Sequence, residues 1–411
     1  MTEQSEPESQ SRLLLERRFL PFFITQFLGA FNDNVFKNAL IILIAFQGAQ
    51  FSSVDTNTLT NLSAGLFILP FFLFSATAGQ LIDKTEKSLS MQRIKMLEIF
   101  IMLCAAWAFS AGELYLLIAL LFLMGAQSSL FGPAKYSYIP QHLDDNELIA
   151  GNALVQMGTF VAILMGTMVG GLLIAREDGR ELVSIVLVVL AVLGYVSSRV
   201  IPRTPSPCPD LKINWNIFTE TWRNLAFIHS NRTVFLSVLG ISWFWFLGAS
   251  YLVQLPNYTR LTLGGNEQVV TLLLTLFTLG IGSGSLLCNW LSGQKVEIGL
   301  VPFGSIGLTL FGIDLFLAKP VLASSELVGL AEFLQQDGSF RVIADVVLIG
   351  VFGGFYIVPL FALVQQRSNP EHLSRVIAGN NILNALLMVL SAIMAIVLLG
   401  AGVSIAHLFL V

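Results

Sequence analysis

FLPFFITQFLGAFNDNVFKNALIILIAF, residues 19–46, is an apolar run long enough to cross a bilayer, with Asn32, Asp33, Asn34, Lys37 and Asn38 set into its middle. At ~1.5 Å per residue from Leu20, Asp33 lies about 20 Å along a helix, inside the ~30 Å hydrocarbon layer, where an Asp or Lys costs roughly 2.5–3.5 kcal/mol. A charge placed there faces protein or water rather than lipid. Asp33 and Lys37 are four apart on one helical face, and Asn34 and Asn38 form a parallel row beside them. Two readings stay open. Either the two charges neutralise each other and lock this helix to a neighbour, or the face lines a path for a polar substrate.

Composition agrees with a membrane-embedded chain. With 55% hydrophobic and 12% charged residues among 411, there is too little polar surface to cover a soluble globule. The first 18 residues mix Glu3, Glu6, Glu8 and Glu16 with Arg12, Arg17 and Arg18. The first apolar run is too long for a cleaved leader and lacks an A-x-A-type site, so it is expected to stay as a signal anchor. Further membrane helices are predicted near 62–82, 96–112, 114–131, 149–174, 183–201, 234–256, 268–291, 298–317, 343–365 and 376–399, with a twelfth opening near Val403. That last run reaches Val411 well short of the ~20 residues a span needs, so the natural polypeptide is expected to continue. With the N-terminus assigned to the cytoplasm, the outer loops hold only Arg176, Arg180, Arg260, Lys319 and Arg341, while every other Lys and Arg except Lys37 lies on the inner side. This is the positive-inside bias.

A repeat divides the chain. FLGA occurs at Phe27–Ala30 and Phe246–Ala249, and IAGN at Ile149–Asn152 and Ile377–Asn380, in the first and seventh and the fifth and eleventh predicted helices. Two six-helix halves repeated in parallel would produce this pattern. The expected architecture is an all-α polytopic membrane protein: a cytoplasmic segment 1–18, a bundle 19–201, a linker 202–232, and a second bundle 233–411 whose twelfth helix is incomplete. The linker opens with Pro202, Pro205, Pro207 and Pro209. Trp215, Phe218, Trp222 and Leu225 then recur at helical spacing, which predicts an amphipathic helix on the inner membrane face, a strap rather than a regulatory element.

After the second helix, Gly79-Gln80-Leu81-Ile82-Asp83-Lys84 resembles the loop signature of the major facilitator superfamily, with Glu86-Lys87 where a Gly-Arg pair is usual. A small residue permits close helix approach, and an acid followed by bases can bridge neighbouring helix ends in one state and release them in the other, so Gly79, Asp83 and Lys84 are candidate gating residues. Within that superfamily the whole chain is similar to the bacterial lysophospholipid transporters, including forms fused to acyltransferase and acyl-carrier-protein (acyl-ACP) synthetase domains. The residues carrying the likeness are FLGAFNDN with Lys37, FGPAKYSYIP (131–140), AGNALVQ (150–156) and GGFYIVPLFALVQQR (353–367). Some relatives have Glu where this chain has Gln156, and a basic residue in the seventh helix where it has Tyr251 and Leu252. The resemblance implies a major facilitator fold and alternating-access flipping of lysophosphatidylethanolamine-type lipids to the cytoplasmic leaflet of a Gram-negative inner membrane. Reacylation by a cytoplasmic acyltransferase or acyl-ACP synthetase, possibly fused at the C-terminus, would follow. It also carries over Asp33 and Lys135 as substrate-site positions.

Other polar residues join them as substrate candidates. Asn152 and Gln156 lie four apart in the fifth helix, and Asn380 and Asn384 repeat that spacing in the eleventh; interhelical hydrogen bonding, worth about 0.6 kcal/mol each, stands as the alternative. Lys135, in the turn Gly132-Pro133-Ala134-Lys135, is read either as a snorkelling lysine or as a gate or phosphate contact. Tyr251 is the seventh-helix candidate. The 32 Phe residues suit cavity walls for an acyl chain and equally suit ordinary packing. Cys104, Cys208 and Cys288 offer no disulfide framework, the four His are scattered, and no phosphate-binding G-x-x-x-x-G-K-[ST] occurs, so no metal, cofactor, nucleic acid or ATP-driven step is expected. An H-x-x-x-x-D acyltransferase signature fails at every His. The competing readings are a proton-coupled drug or small-solute exporter of the same fold, with Asp33 as protonation site, and the membrane domain of a multidomain lipid acyltransferase. A monomer bathed in membrane lipid is expected.

Overall fold

Long runs of apolar residues with good helix formers leave the backbone one way to satisfy its polar groups in lipid, and the chain is accordingly helical. The architecture is that of a computed structural model, which describes residues 10–51, 56–293, 295–318 and 327–410. Lys319, Val411 and the acids Glu3, Glu6 and Glu8 lie outside the described residues. The helices are α1 Leu20–Phe51, α2 Thr56–Lys84, α3 Lys87–Ala111, α4 Leu114–His142, α5 Leu148–Ile174, α6 Gly179–Ser198, α7 Ile217–His229, α8 Arg232–Leu261, α9 Glu267–Leu291, α10 Leu300–Leu317, α11 Leu330–Phe333, α12 Ser339–Arg367, α13 Leu373–Gly400 and α14 Ile405–Leu408. Eleven of these, all but α7, α11 and α14, are long and apolar enough to cross a membrane.

Two boundaries differ from the sequence reading in ways that matter. α3 starts at Lys87 rather than 96, because Glu86 caps it by accepting from the backbone N–H of Ser88 and Leu89, both at 2.8 Å. Lys95, read as a loop cation, is therefore inside the helix. α4 continues to His142 rather than stopping at 131, carrying Pro133 and Pro140 within it, so Lys135 sits on a helix and not in a turn. Proline in a membrane helix is tolerated where neighbours satisfy the freed carbonyl, as Gln365 Nε2 does at 3.0 Å for Tyr136 O, the carbonyl four residues before Pro140.

The chain forms two compact units. The first comprises residues 1–145, 162–235 and 365–385, and the second 146–161, 236–364 and 386–411. One break, between Phe235 and Leu236, falls just past the linker, and the others fall within or beside α5, near the end of α12 and within α13. The first turns of α5 and of α13, which hold the two IAGN copies, each join the unit built mainly from the other half of the chain. In the first unit, Phe36, Leu40, Met102, Phe109, Leu117 and Leu187 belong to one buried core drawn from α1, α3, α4 and α6. α2 and α4 come close at Gly125, where a Cβ would strike the carbonyl of Phe67. In the second unit, Gly284 of α9 lies against the backbone of Val351 in α12 in the same manner. α14, the short turn where a twelfth span was expected to open, buries Ile405, Ala406 and Leu408.

The linker is stitched to the end of α2. Gln80 and Asn214 exchange hydrogen bonds (3.0 and 2.8 Å), Cys208 N–H donates to Asp83 O at 3.1 Å, and Ser206 Oγ donates to the carbonyls of Asp83 and Lys84. Asn216 caps α7 by accepting from Phe218 N–H and Thr219 N–H.

Candidate functional site

The polar face of α1 is organised, but not as the Asp33–Lys37 pair that its spacing allows. Lys37 Nζ donates to Asn34 Oδ1 at 2.9 Å, while Asn34 and Asn38 each donate to the carbonyl four residues back (2.8 and 2.9 Å); Asn38 also reaches Thr167 Oγ1 in α5 at 3.1 Å. Asp33 accepts from Ser128 Oγ of α4 at 2.6 Å, and its second carboxylate oxygen has no hydrogen-bond partner among the described residues. No ion pair joins Asp33 to Lys37, because each turns to a neutral partner. Asp33 nonetheless lies in the electrostatic field of Lys37 and Lys95, and acts in turn on Lys135.

Behind Asp33 lies a buried network absent from the sequence reading. Lys95 Nζ is 2.6 Å from Glu98 Oε2, both side chains essentially inaccessible to solvent. Glu98 also accepts from Asn32 Nδ2 of α1 at 2.9 Å and from Gln127 Nε2 of α4 at 3.0 Å. Ser128 Oγ lies 2.6 Å from Asp33 Oδ2 and 3.2 Å from Gln127 Oε1. Its single proton serves one of them at a time, which links the carboxylate of Asp33 to the ion pair. The ammonium of Lys95 sits where a Cβ on Gly29 would be, and 5.3 Å from the ring centroid of Phe131. A helix begun at 96 separates Lys95 from Glu98; a helix begun at the Glu86 cap puts them one turn apart, and this was the available signal.

The remaining predicted site residues divide between the two units. Lys135 is buried in the first, its ammonium 5.1 Å from the Tyr136 ring centroid. With it go Asn380, buried with neither amide atom hydrogen-bonded among the described residues, and the half-buried Asn384. Asn152 and Gln156 are buried in the second unit, where Asn152 donates to Leu148 O of its own helix at 2.8 Å. Tyr251, also in the second unit, stacks on Phe409 with centroids 4.6 Å apart. It lines a narrow aromatic pocket with Phe160, Phe244, Trp245, Phe277 and Leu308. Gly248 also lines this cavity and has open space where a Cβ would stand. At the far end of α12, Arg341 binds Asp314 through Nε at 3.0 Å and through Nη2, above a buried Asp345.

Of the predicted gate, Asp83 and Gly79 are engaged and Lys84 is not. Asp83 Oδ2 accepts from Arg375 Nε at 2.9 Å, and Oδ1 from Ser374 N–H at 3.0 Å, all three residues being buried. A Cβ on Gly79 would lie 2.8 Å from Ala378 Cβ and 2.9 Å from Arg375 Cα, so only glycine admits α13 this closely. Arg375 Nη2 is further held by Glu371 O (3.0 Å) and His372 Nδ1 (2.6 Å). The side chain of Lys84 forms no ion pair among the described residues; as the last residue of α2 it follows, rather than occupies, the position facing α13. The base that answers Asp83 is Arg375, which the sequence reading counted only among the inner-side cations.

The chain is similar to several known proteins. Two lysophospholipid transporters LplT are similar: that of Serratia proteamaculans (strain 568), 26% identical over 374 residues covering 90% of this chain and 84% of the relative, and that of Escherichia coli O1:K1 / APEC, 27% identical over 371 residues covering 87% and 82%. Among solved structures, the human organic anion transporter MFSD10 (TETRAN) superposes with a TM-score of 0.75 at 14% identity, covering 96% of this chain and 97% of that one. A bacterial homologue of the iron transporter ferroportin in its outward-facing state gives 0.67 at 16% identity, with 94% and 96% covered. At such identities these two speak for the fold alone. The Major Facilitator Superfamily pattern matches residues 22–406, nearly the whole chain, and the chain therefore belongs to that superfamily, as a transporter and not an enzyme.

Proposed function

We propose that this transporter moves lysophospholipids of the lysophosphatidylethanolamine type across a bacterial inner membrane to the cytoplasmic leaflet, by alternating access. The observation that carries the reading is Asp33: an acid in the middle of a membrane helix, bonded to one serine, with its other oxygen unbonded and no ion pair among the described residues. An ammonium head group would meet that carboxylate, and Lys37 and Lys135 would serve the phosphate, each contact gaining strength in a cavity of reduced dielectric. Asn380, whose amide atoms have no hydrogen-bond partner among the described residues, would meet the glycerol or phosphate oxygens. The pocket beside Tyr251 is lined by aromatic and aliphatic side chains, a lining suited to the end of an acyl chain. Head and chain thus each have a counterpart among residues of this chain, and the names of the relatives favour the same cargo.

In this reading Gly79, Asp83 and Arg375 form the clasp that closes the linker side, Lys84 lying next to it. That side is cytoplasmic, the N-terminus with it, and the protein works as a monomer. Reacylation of the delivered lipid falls to a separate or fused acyltransferase or acyl-ACP synthetase. The test is uptake of labelled lysophosphatidylethanolamine into proteoliposomes by wild type and Asp33→Asn, beside a panel of drugs and small solutes. Uptake by wild type, lost in Asp33→Asn with folding intact, is expected. Drug transport without lysolipid uptake, or full uptake by Asp33→Asn, would refute the assignment.

A further inference from the structure

The linker helix α7 carries its polar side inward and its aromatic side outward. Glu220, Asn224 and Ile228, spaced by four, are buried, and Asn224 and Ile228 border Gly379 of α13. The other face presents Trp215, just ahead of the helix, with Phe218 and Trp222, at 72%, 84% and 76% exposure. Three aromatic side chains on one face are unfavourable in water and favourable in the head-group layer of a bilayer. Only Ser230 and Asn231 separate α7 from α8, a helix long and apolar enough to span, so α7 is tethered at the level where α8 leaves the hydrocarbon. The exposed formal charges from 203 to 232 are Arg203, Lys212, Arg223 and Arg232 against Asp210 alone. That balance fits an anionic lipid surface.

The same helix also grips the clasp. The Phe227 ring stacks on His372 with centroids 4.4 Å apart and lies 4.9 Å from the guanidinium of Arg375. His372 Nδ1 is in turn 2.6 Å from Arg375 Nη2. A shift of α7 away from α13 would take the aromatic face from Arg375 and loosen the residue that holds Asp83.

We propose that α7 binds the anionic phospholipid surface of the linker-side leaflet through Trp215, Phe218, Trp222 and the neighbouring bases, and that this docking steadies Arg375 on Asp83, making the clasp responsive to lipid composition. Only the consequence for transport rests on the function proposed above; binding and clasp order are read without a substrate. The experiment is hydrogen–deuterium exchange on the full chain in nanodiscs of phosphatidylcholine with and without phosphatidylglycerol. In wild type, phosphatidylglycerol should slow exchange by about tenfold over 217–229 and over 371–379, within what a few bases near such a surface supply. The variant Trp215→Ser/Phe218→Ser/Trp222→Ser should lose the protection in both segments. Arg203→Gln/Lys212→Gln/Arg232→Gln, which changes only exposed bases and leaves Arg223 on Glu220 and Phe227, should lose the phosphatidylglycerol dependence alone. Phe227→Leu should keep protection over 217–229 and lose it over 371–379. Equal exchange in the two lipids would overturn the binding, and protection of 371–379 that survives Phe227→Leu would overturn the coupling to the clasp.

Discussion

Neutralising Glu98 should cost more than removing the whole ion pair. In Lys95→Met, the buried carboxylate keeps its two amide donors, Asn32 and Gln127. In Glu98→Gln, the ammonium keeps a neutral carbonyl, the face of Phe131 and the more distant charge of Asp33, but no ion-pair partner in contact. Breaking a buried pair by removing one partner typically costs about 3–5 kcal/mol, and we place Lys95→Met near the lower figure and Glu98→Gln near the upper. The double variant leaves no charge at either position, while the Gln carbonyl can still accept from its former donors, so it should fall within about 1 kcal/mol of wild type. The coupling between the two sites then reaches or exceeds the ~3 kcal/mol that marks strongly interacting neighbours. Unfolding in mixed micelles by increasing SDS, followed by tryptophan fluorescence, gives the four stabilities of the cycle. Additive losses in the double variant, or a silent Glu98→Gln, would show that Lys95 and Glu98 do not depend on each other.

Three further outcomes follow from particular contacts. Burial holds the Glu220 carboxyl above the usual carboxylate range, against the lowering effects of Arg223, Arg375 and Asn214. Docking of α7 should therefore be fully stable at acid pH and weaken as pH rises from the ordinary carboxylate value through the raised one, a dependence that limited proteolysis of 212–229 would detect and Glu220→Gln would abolish. Gly248→Leu places a side chain in the open cavity and should leave folding intact, even gaining helix propensity of up to about 1 kcal/mol. It should depress uptake of long-chain more than short-chain lysolipids; an unchanged chain-length profile would separate the cavity from the acyl chain. Gly125→Val drives a side chain into the Phe67 carbonyl, so it should lower thermal stability in detergent markedly, whereas Gly400→Val, with open space around it, should not.

Residues that contradict their surroundings were the legible ones. Asp33, Asn34 and Lys37 stand out because a membrane run leaves no cheap place for them, and Asp83 because it follows Gly79 at a helix end. α7 was recognisable from its aromatic spacing. Lys95 and Glu98 were hidden by the rule that makes membrane helices visible: an apolar window stops at charge, and these charges lie inside the helix because they satisfy each other. Lys135 was read on the wrong backbone, since Gly132-Pro133 reads as a turn in water and as a packed helix in lipid. Arg375 was invisible as a partner because its acid lies 292 positions away in sequence. The cavity could not be foreseen from the abundance of Phe, which packs and lines alike.

The two FLGA copies have met opposite fates. Gly29, in the first, yields its missing side chain's place to the ammonium of Lys95; Gly248, in the second, opens onto a wall of aromatic rings. If the halves descend from one ancestral unit, they began alike and could have served only a cargo alike at both ends. A glycine is neutral in that respect: it keeps the room and leaves the neighbours to decide what fills it. Around this one vacancy the two copies have diverged, to a charged neighbour in one and an aromatic wall in the other, so the same four letters specify two different chemical surroundings.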